Sequence, residues 1–123
     1  MNVVMLKGNL ARDPELRVVG EKQTSVVNFT IATSREFTKS DDTQGKITTF
    51  VQCEAWDSAA DAIASSFKKG DLVMVEGSLR NDSWEKDGVK HNTIKVRVNN
   101  FGQIVKTKRT SNGKSSETEA VAF

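Results

Sequence analysis

The chain predicts an all-β fold with one short helix: a five-stranded Greek-key barrel followed by a disordered C-terminal tail. Three observations carry that expectation. Four stretches alternate apolar and polar residues with the period of a strand. A single stretch, residues 57–70, repeats its apolar residues at helical spacing. From residue 106 onward the sequence is rich in Ser, Thr, Lys and Glu and has neither period, the composition of a segment that cannot bury a core.

Taken in order, "VVMLKGNL" reads as an opening strand that stops near Gly8 and Asn9, and "ARDPELR" as a turn around Pro14, the only proline. "SVVNFTIATS" places Val27, Phe29, Ile31 and Thr33 on one face and Asn28, Thr30 and Ser34 on the other. "REFTKSDDTQGK" is polar with Gly45 near its end and reads as a long exposed hairpin loop. The strand over 46–57 puts Ile47, Thr49, Val51, Cys53 and Ala55 at one parity, and Thr48, Phe50, Gln52, Glu54 and Trp56 at the other.

"DSAADAIASSFKKG" supplies the helix. Asp57 or Ser58 can cap it, Ser58 with Asp61 makes a weak capping box, and Ala60, Ile63 and Phe67 recur on one side. Lys68 and Lys69 suit its C-terminal end and Gly70 its stop. "DLVMVEGSLRNDSW" then points Val73, Val75 and Leu79 inward and Met74, Glu76, Ser78, Arg80, Asp82 and Trp84 outward. After an Asp87-Gly88 turn, "VKHNTIKVRVNNFGQI" turns Ile94, Val96 and Val98 in and Lys95 and Arg97 out. Five antiparallel strands with a helix between the third and fourth match the OB-fold. Residues 1–105 form its single domain and residues 106–123 its tail.

Composition narrows the function. No apolar run reaches the roughly 18 residues a membrane span needs, and "MNVVMLKGNL" lacks the parts of a signal peptide. The lone Cys53 forms no internal disulfide, so an intracellular setting is expected. Residues 1–105 carry fourteen basic and fourteen acidic residues, so the net +2 resides in the tail. Catalytic constellations are missing from the sequence: His91 is the only histidine, Cys53 lies at core parity, and there is no phosphate-binding loop, G-x-S-x-G or H-E-x-x-H. A non-enzymatic protein without a metal or cofactor is the expectation.

The aromatics are the anomaly. Phe50, Trp56 and Trp84 fall at the polar parity of their strands, on two separate strands. A lone aromatic there is explained by a bulge, and a patch of them by a protein interface. Bases of a single strand explain them as well, because each base has a face to stack and stacking contributes roughly 1–3 kcal/mol per base. Phe50, Trp56 and Trp84 would then form a platform to which Phe37, from the loop, adds a fourth ring. Arg80, Lys69, Arg97 and Lys39 are the candidate phosphate contacts, with Lys68 and Arg35 beside them.

Several segments also resemble the bacterial-type single-stranded DNA-binding protein family. "GNL" at 8–10 with "DPELR" at 13–17, "VNFTIATS" at 27–34, and "FKKGDLVMVEGSLR" at 67–80 follow that family's order. The resemblance covers about residues 2–105. It implies an OB-fold that binds single-stranded DNA without sequence preference in replication, recombination and repair, as a homotetramer in the bacterial cytoplasm, with no cofactor. It carries stacking roles to Phe37, Phe50, Trp56 and Trp84, and basic roles to Arg80 and Lys69. Asp82 and Ser83 stand where the family is often basic, and Ser58 where it can have Lys, which implies a shallower salt dependence. The family's acidic tip recruits replication and repair proteins; here "SSETEAVAF" keeps the terminal Phe123 and two glutamates but not the Asp run or the Pro, as a short phage or mobile-element copy would. The rival readings are an OB-fold RNA binder, a primosomal-type interaction module and a metal-dependent OB-fold hydrolase.

Overall fold

The computed structural model describes residues 1–107 and 117–121, with side-chain surroundings described through residue 105. The elements run β1 Val4–Leu10, β2 Glu15–Val19, β3 Thr24–Thr38, β4 Gln44–Trp56, α1 Asp57–Ser66, β5 Leu72–Lys86, β6 Val89–Thr107 and β7 Glu117–Val121. The strands follow one another side by side as β1-β5-β6-β4-β3-β2, and β1 also pairs with β3. That extra pairing closes β1, β5, β6, β4 and β3 into a five-stranded barrel, the OB-fold arrangement expected.

The closure corrects one expectation. β4 and β6 run parallel, joined at Cys53↔Val96 and Glu54↔Arg97, so the barrel is mixed rather than all antiparallel. Alternation within a strand carries no information on the direction of a neighbour distant in sequence. A second correction is β2, where a turn was expected. Pro14 lies in the connection between β1 and β2, but Glu15–Val19 return along β3 from Glu15↔Asn28 to Val19↔Thr24. Leu16 and Val18 stay about half exposed there, so the segment has no buried face that would mark it as a strand in sequence.

The core is built from the residues at inward parity. Val27, Phe29, Ile31, Cys53, Ala55, Val73, Val75, Val96 and Val98 form one buried cluster with Ala60, Ile63 and Phe67. α1 plugs the barrel end: Phe67 meets Phe29 edge-on at 6.0 Å and Phe101 at 5.8 Å. The helix begins without the expected capping box, since no side chain caps it and Asp57 takes a left-handed φ of 58°. It also stops earlier than expected. Phe67 is already extended, and Lys68, Lys69 and Gly70 form the turn beyond it, Gly70 at φ 90°.

Two hairpins extend past the barrel as arms. The expected long loop after β3 is mostly strand: β3 and β4 stay paired out to Thr38↔Gln44, and only Lys39–Thr43 turn. The β5–β6 arm stays paired to Lys86↔Val89 around Asp87 and Gly88, whose φ values of 53° and 77° fit a type I′ turn. Among the described residues, neither of these two-stranded arms carries a buried side chain beyond the barrel. Ile47, Leu79 and Ile94, expected inward by parity, are exposed there. Where the β5–β6 arm leaves the barrel, the ladder slips between Glu76 and Gly77. A Cβ at Gly77 would collide with the Arg97 carbonyl oxygen, so this approach requires glycine.

Two parts of the stretch expected as a disordered tail are strand: β6 continues to Thr107, and Glu117–Val121 form β7 antiparallel to β6. A free edge of β6 over Gln103–Thr107 and a short extended segment are all such a pairing needs. Residues 108–116 and 122–123, including Phe123, lie outside the described residues.

Candidate nucleic-acid interface

Strand registers assemble one outer face from four strands. Val26, Asn28, Thr30 and Ala32 of β3 sit opposite Trp56, Glu54, Gln52 and Phe50 of β4. Glu54 in turn lies beside Arg97, and Arg97, Lys95 and His91 of β6 sit opposite Ser78, Arg80 and Trp84 of β5. Phe50, Trp56, Trp84, Arg80 and Arg97 thus share a face, as outward parity predicted for each strand alone.

They do not form one cluster. Phe50 and Trp56 are six residues apart on β4, about 20 Å at strand rise, and no aromatic contact joins them. Phe50 is 65% exposed and Trp84 48%, so both rings are open to solvent. Trp84 stacks on His91 across the arm, centroids 5.5 Å apart and planes 18° from parallel. Their pairing follows from the Asp87-Gly88 turn, because counting outward from it matches residue 84 with residue 91.

Phe37 departs from expectation. It pairs with Gly45 at the other parity, so it occupies the opposite face of the β3–β4 arm from Phe50. Its ring lies across Gly45, where a Cβ would stand 2.5 Å from the ring edge. Lys39 is exposed at the tip of this arm. Lys69 is exposed in the turn after α1, its backbone N–H donating to Asp13 Oδ1 at 2.8 Å, and belongs to none of the face's strands.

Trp56 is the last residue of β4, two positions past the Glu54↔Arg97 pair of the seam. The Arg97 guanidinium sits over its ring, Cζ 5.0 Å from the centroid, within cation–π range. The same guanidinium donates to Glu54 Oε1 from Nε at 3.3 Å and from Nη2 at 3.1 Å. Lys95 Nζ bridges Glu54 Oε2 at 3.0 Å and Asp82 Oδ2 at 2.6 Å. Glu54, expected outward and solvated, is instead buried, 4% exposed, because Lys95, Arg97 and Trp56 close over it. Burial pushes its carboxyl up, but hydrogen bonds from Lys95 and Arg97 outweigh that and hold it below the ordinary carboxylate value. The Trp56 indole N–H favours the same ionised state, although it is buried and falls short of hydrogen-bond geometry to any acceptor.

Sequence reasoning did not mark Glu54, Lys95 or His91 as parts of the site. For His91 the signal was the turn register; for Glu54 and Lys95 it was hidden in the parallel β4–β6 seam. Cys53 matches expectation: it is buried, and desolvation pushes its thiol up to about 12, the state of an inert core residue. Among the described residues no cluster of His, Cys, Asp and Glu could hold a metal ion, and no helix is long and apolar enough to cross a membrane.

Comparison with known proteins agrees with this architecture. Residues 1–104 match the model of the Single-strand binding protein family. The chain is 34% identical to a single-stranded DNA-binding protein of Fusobacterium nucleatum over 98% of its own length and 75% of that protein's. It is 36% identical to one from Clostridium perfringens over 85% of this chain and 66% of the other. Single-stranded DNA-binding protein 2 of Chlorobaculum tepidum is 30% identical over 95% of this chain and 78% of its own. With a closed five-strand barrel, an aromatic outer face and a family match across nearly the whole barrel, the chain belongs to the Single-strand binding protein family, a family of binding proteins rather than enzymes.

Proposed function

We propose that this protein binds single-stranded DNA without sequence preference and covers it during replication, recombination and repair. One observation carries the reading: the outward parity of β4 and β5 presents open Phe50 and Trp84 rings on the side of the sheet that also carries Trp56 and exposed Arg80. Bases stack on Phe50, Trp56 and Trp84, while Arg80 at the face and Lys39 at the arm tip meet phosphates. Lys69 would contact a strand that runs on past the helix end. Phe37 would meet a base only where the strand wraps to the other side of its arm. Duplex DNA keeps its base faces stacked and so cannot use the platform.

A homo-oligomer is part of the proposal. Val3 and Met5, 59% and 72% exposed on and before β1, are apolar surface that a second copy would cover. Light scattering checks the assembly, with a tetrameric mass expected. Recruitment of replication and repair proteins through Phe123 is a separate proposal, tested by deleting that residue in a pull-down with a replisome extract.

The test of function is tryptophan fluorescence during titration with an oligo-dT strand, with matched RNA and duplex in parallel. Quenching by dT at lower concentration than by either competitor is expected. Tighter RNA binding would move the reading to an RNA-binding barrel. No quenching by any strand, with emission changing only with protein concentration, would leave the aromatic face as a protein interface.

A further inference from the structure

The basic residues of the face are unequal. Arg80 is exposed and makes no ion pair among the described residues. Lys95 and Arg97 are both already paired: Lys95 with Glu54 at 3.0 Å and Asp82 at 2.6 Å, Arg97 with Glu54 at 3.1 Å. Two cations and two carboxylates sum to zero in the middle of the surface that a strand would cross. The residues differ in freedom. Glu54 is sealed in the β4–β6 seam at 4% exposure, whereas the Asp82 side chain is 42% exposed on the arm.

We propose that Glu54 and Asp82 are internal counter-ions of the strand-binding face, holding the places at Lys95 and Arg97 that backbone phosphates would otherwise take. The inference rests on the single-strand-binding reading and deepens it. Arg97 acts there as a cover on Trp56 rather than as a phosphate contact, since its N–H groups on the Nε side are spent on Glu54. Lys95, between two carboxylates, contributes nothing to charge neutralisation of the strand. A phosphate passing this point either stays in solvent or displaces a carboxylate already in place. The consequence is a shallow salt dependence, because only phosphates neutralised by net positive charge release their counter-ions.

Removing either acid leaves the group of four with one net positive charge. For a single strand each additional neutralised phosphate steepens the log–log salt slope by about 0.7, so affinity falls about 2.6-fold further between 50 and 200 mM salt. Both acids pair with Lys95, and Glu54 holds Arg97 as well, so the four groups act as one network; removing both acids leaves two net positive charges and should steepen the slope by up to about 1.4.

The experiment titrates oligo-dT into the full chain at four salt concentrations for wild type, Asp82→Asn, Glu54→Gln and Asp61→Asn. Asp61 is an exposed acid on α1, away from the face, and controls for net charge alone. Asp82→Asn carries the test, since it changes an arm residue outside the core; a thermal melt confirms that it folds. A slope steeper by about 0.7 in Asp82→Asn and Glu54→Gln, with Asp61→Asn unchanged, supports the inference. An unchanged slope in folded Asp82→Asn overturns it, and so does equal steepening in Asp61→Asn, which would make the effect one of overall charge. If wild type binds no strand at any salt, the functional reading itself fails, a result distinct from binding with an unaltered slope.

Discussion

Arg97 stands over the ring of Trp56, 5.0 Å from its centroid, while the same guanidinium is held from the side by Glu54. One residue therefore ties the Trp56 ring to a buried carboxylate across the parallel β4–β6 seam. Under the proposed function, base stacking on Trp56 would be coupled through it to the integrity of the seam. A base binding there would meet the guanidinium first, and a guanidinium plane is itself a surface on which bases stack.

Aromatic truncation should separate the platform's members. Phe50→Ala and Trp84→Ala should each weaken oligo-dT binding by roughly 1–3 kcal/mol; Phe50→Ala should leave the melting temperature unchanged, since its ring is open to solvent, whereas Trp84→Ala also removes the stack on His91. Affinity by fluorescence anisotropy, paired with a melt of each variant, reads both effects. Phe37→Ala should weaken binding less, because its ring lies over Gly45 on the opposite face of the arm.

Gly77→Ala should destabilise the fold by about 1–3 kcal/mol, the usual range for forcing extra atoms into a packed position. The new Cβ would run into the Arg97 backbone oxygen, which the ladder cannot move without widening the bulge. A lower urea midpoint with an unchanged slope checks this, and unchanged stability would mean that β6 yields freely there.

Asn2 grips the root of the β5–β6 arm. Its side-chain amide donates to the Leu79 carbonyl at 3.0 Å and accepts from the Leu79 N–H at 2.8 Å. Asn2→Ala should cost about 1–2 kcal/mol, as two modest hydrogen bonds would, and should speed hydrogen exchange at the Leu79 amide.

Acid should loosen the seam. Burial raises the Glu54 carboxyl, but bonds from Lys95 and Arg97 bring it below its ordinary value. Its contribution is thus complete above the unfolded carboxylate value, about pH 4.3, and is lost as pH falls through the lower folded value. Lys95 works in the opposite range. Burial lowers it, but Asp82 and Glu54 outweigh that and hold it above the ordinary lysine value, so its contribution is complete below that ordinary value and lost as pH rises through the folded one. Glu54→Gln should flatten the acid limb of a stability-against-pH curve, and an unaltered limb would contradict the assignment.

Cys53 should resist thiol reagents. Its thiol is buried, with desolvation pushing it up to about 12, so at pH 8 it reacts only as fast as the barrel opens. Labelling that tracks added urea is the expected result; rapid labelling of native protein would contradict it.

Within each strand, the amino-acid pattern was enough to decide most of the plan. Alternation separated Val27, Phe29 and Ile31 from their polar neighbours, set Phe50, Trp56 and Trp84 outward, and placed Cys53 in the core, because a side chain's face is a local property of extended backbone. The Asp87-Gly88 turn fixed Trp84 opposite His91 for the same reason. What tertiary structure alone decided lies between strands distant in the chain. The parallel contact of β4 with β6 put Glu54 beside Arg97 and Lys95 and turned an apparently solvated acid into a buried one. The barrel's length decided that Leu79 and Ile94 would be exposed, since parity names a face but not what covers it. Periodicity records which way a side chain points; only closure of the barrel settles what it meets there.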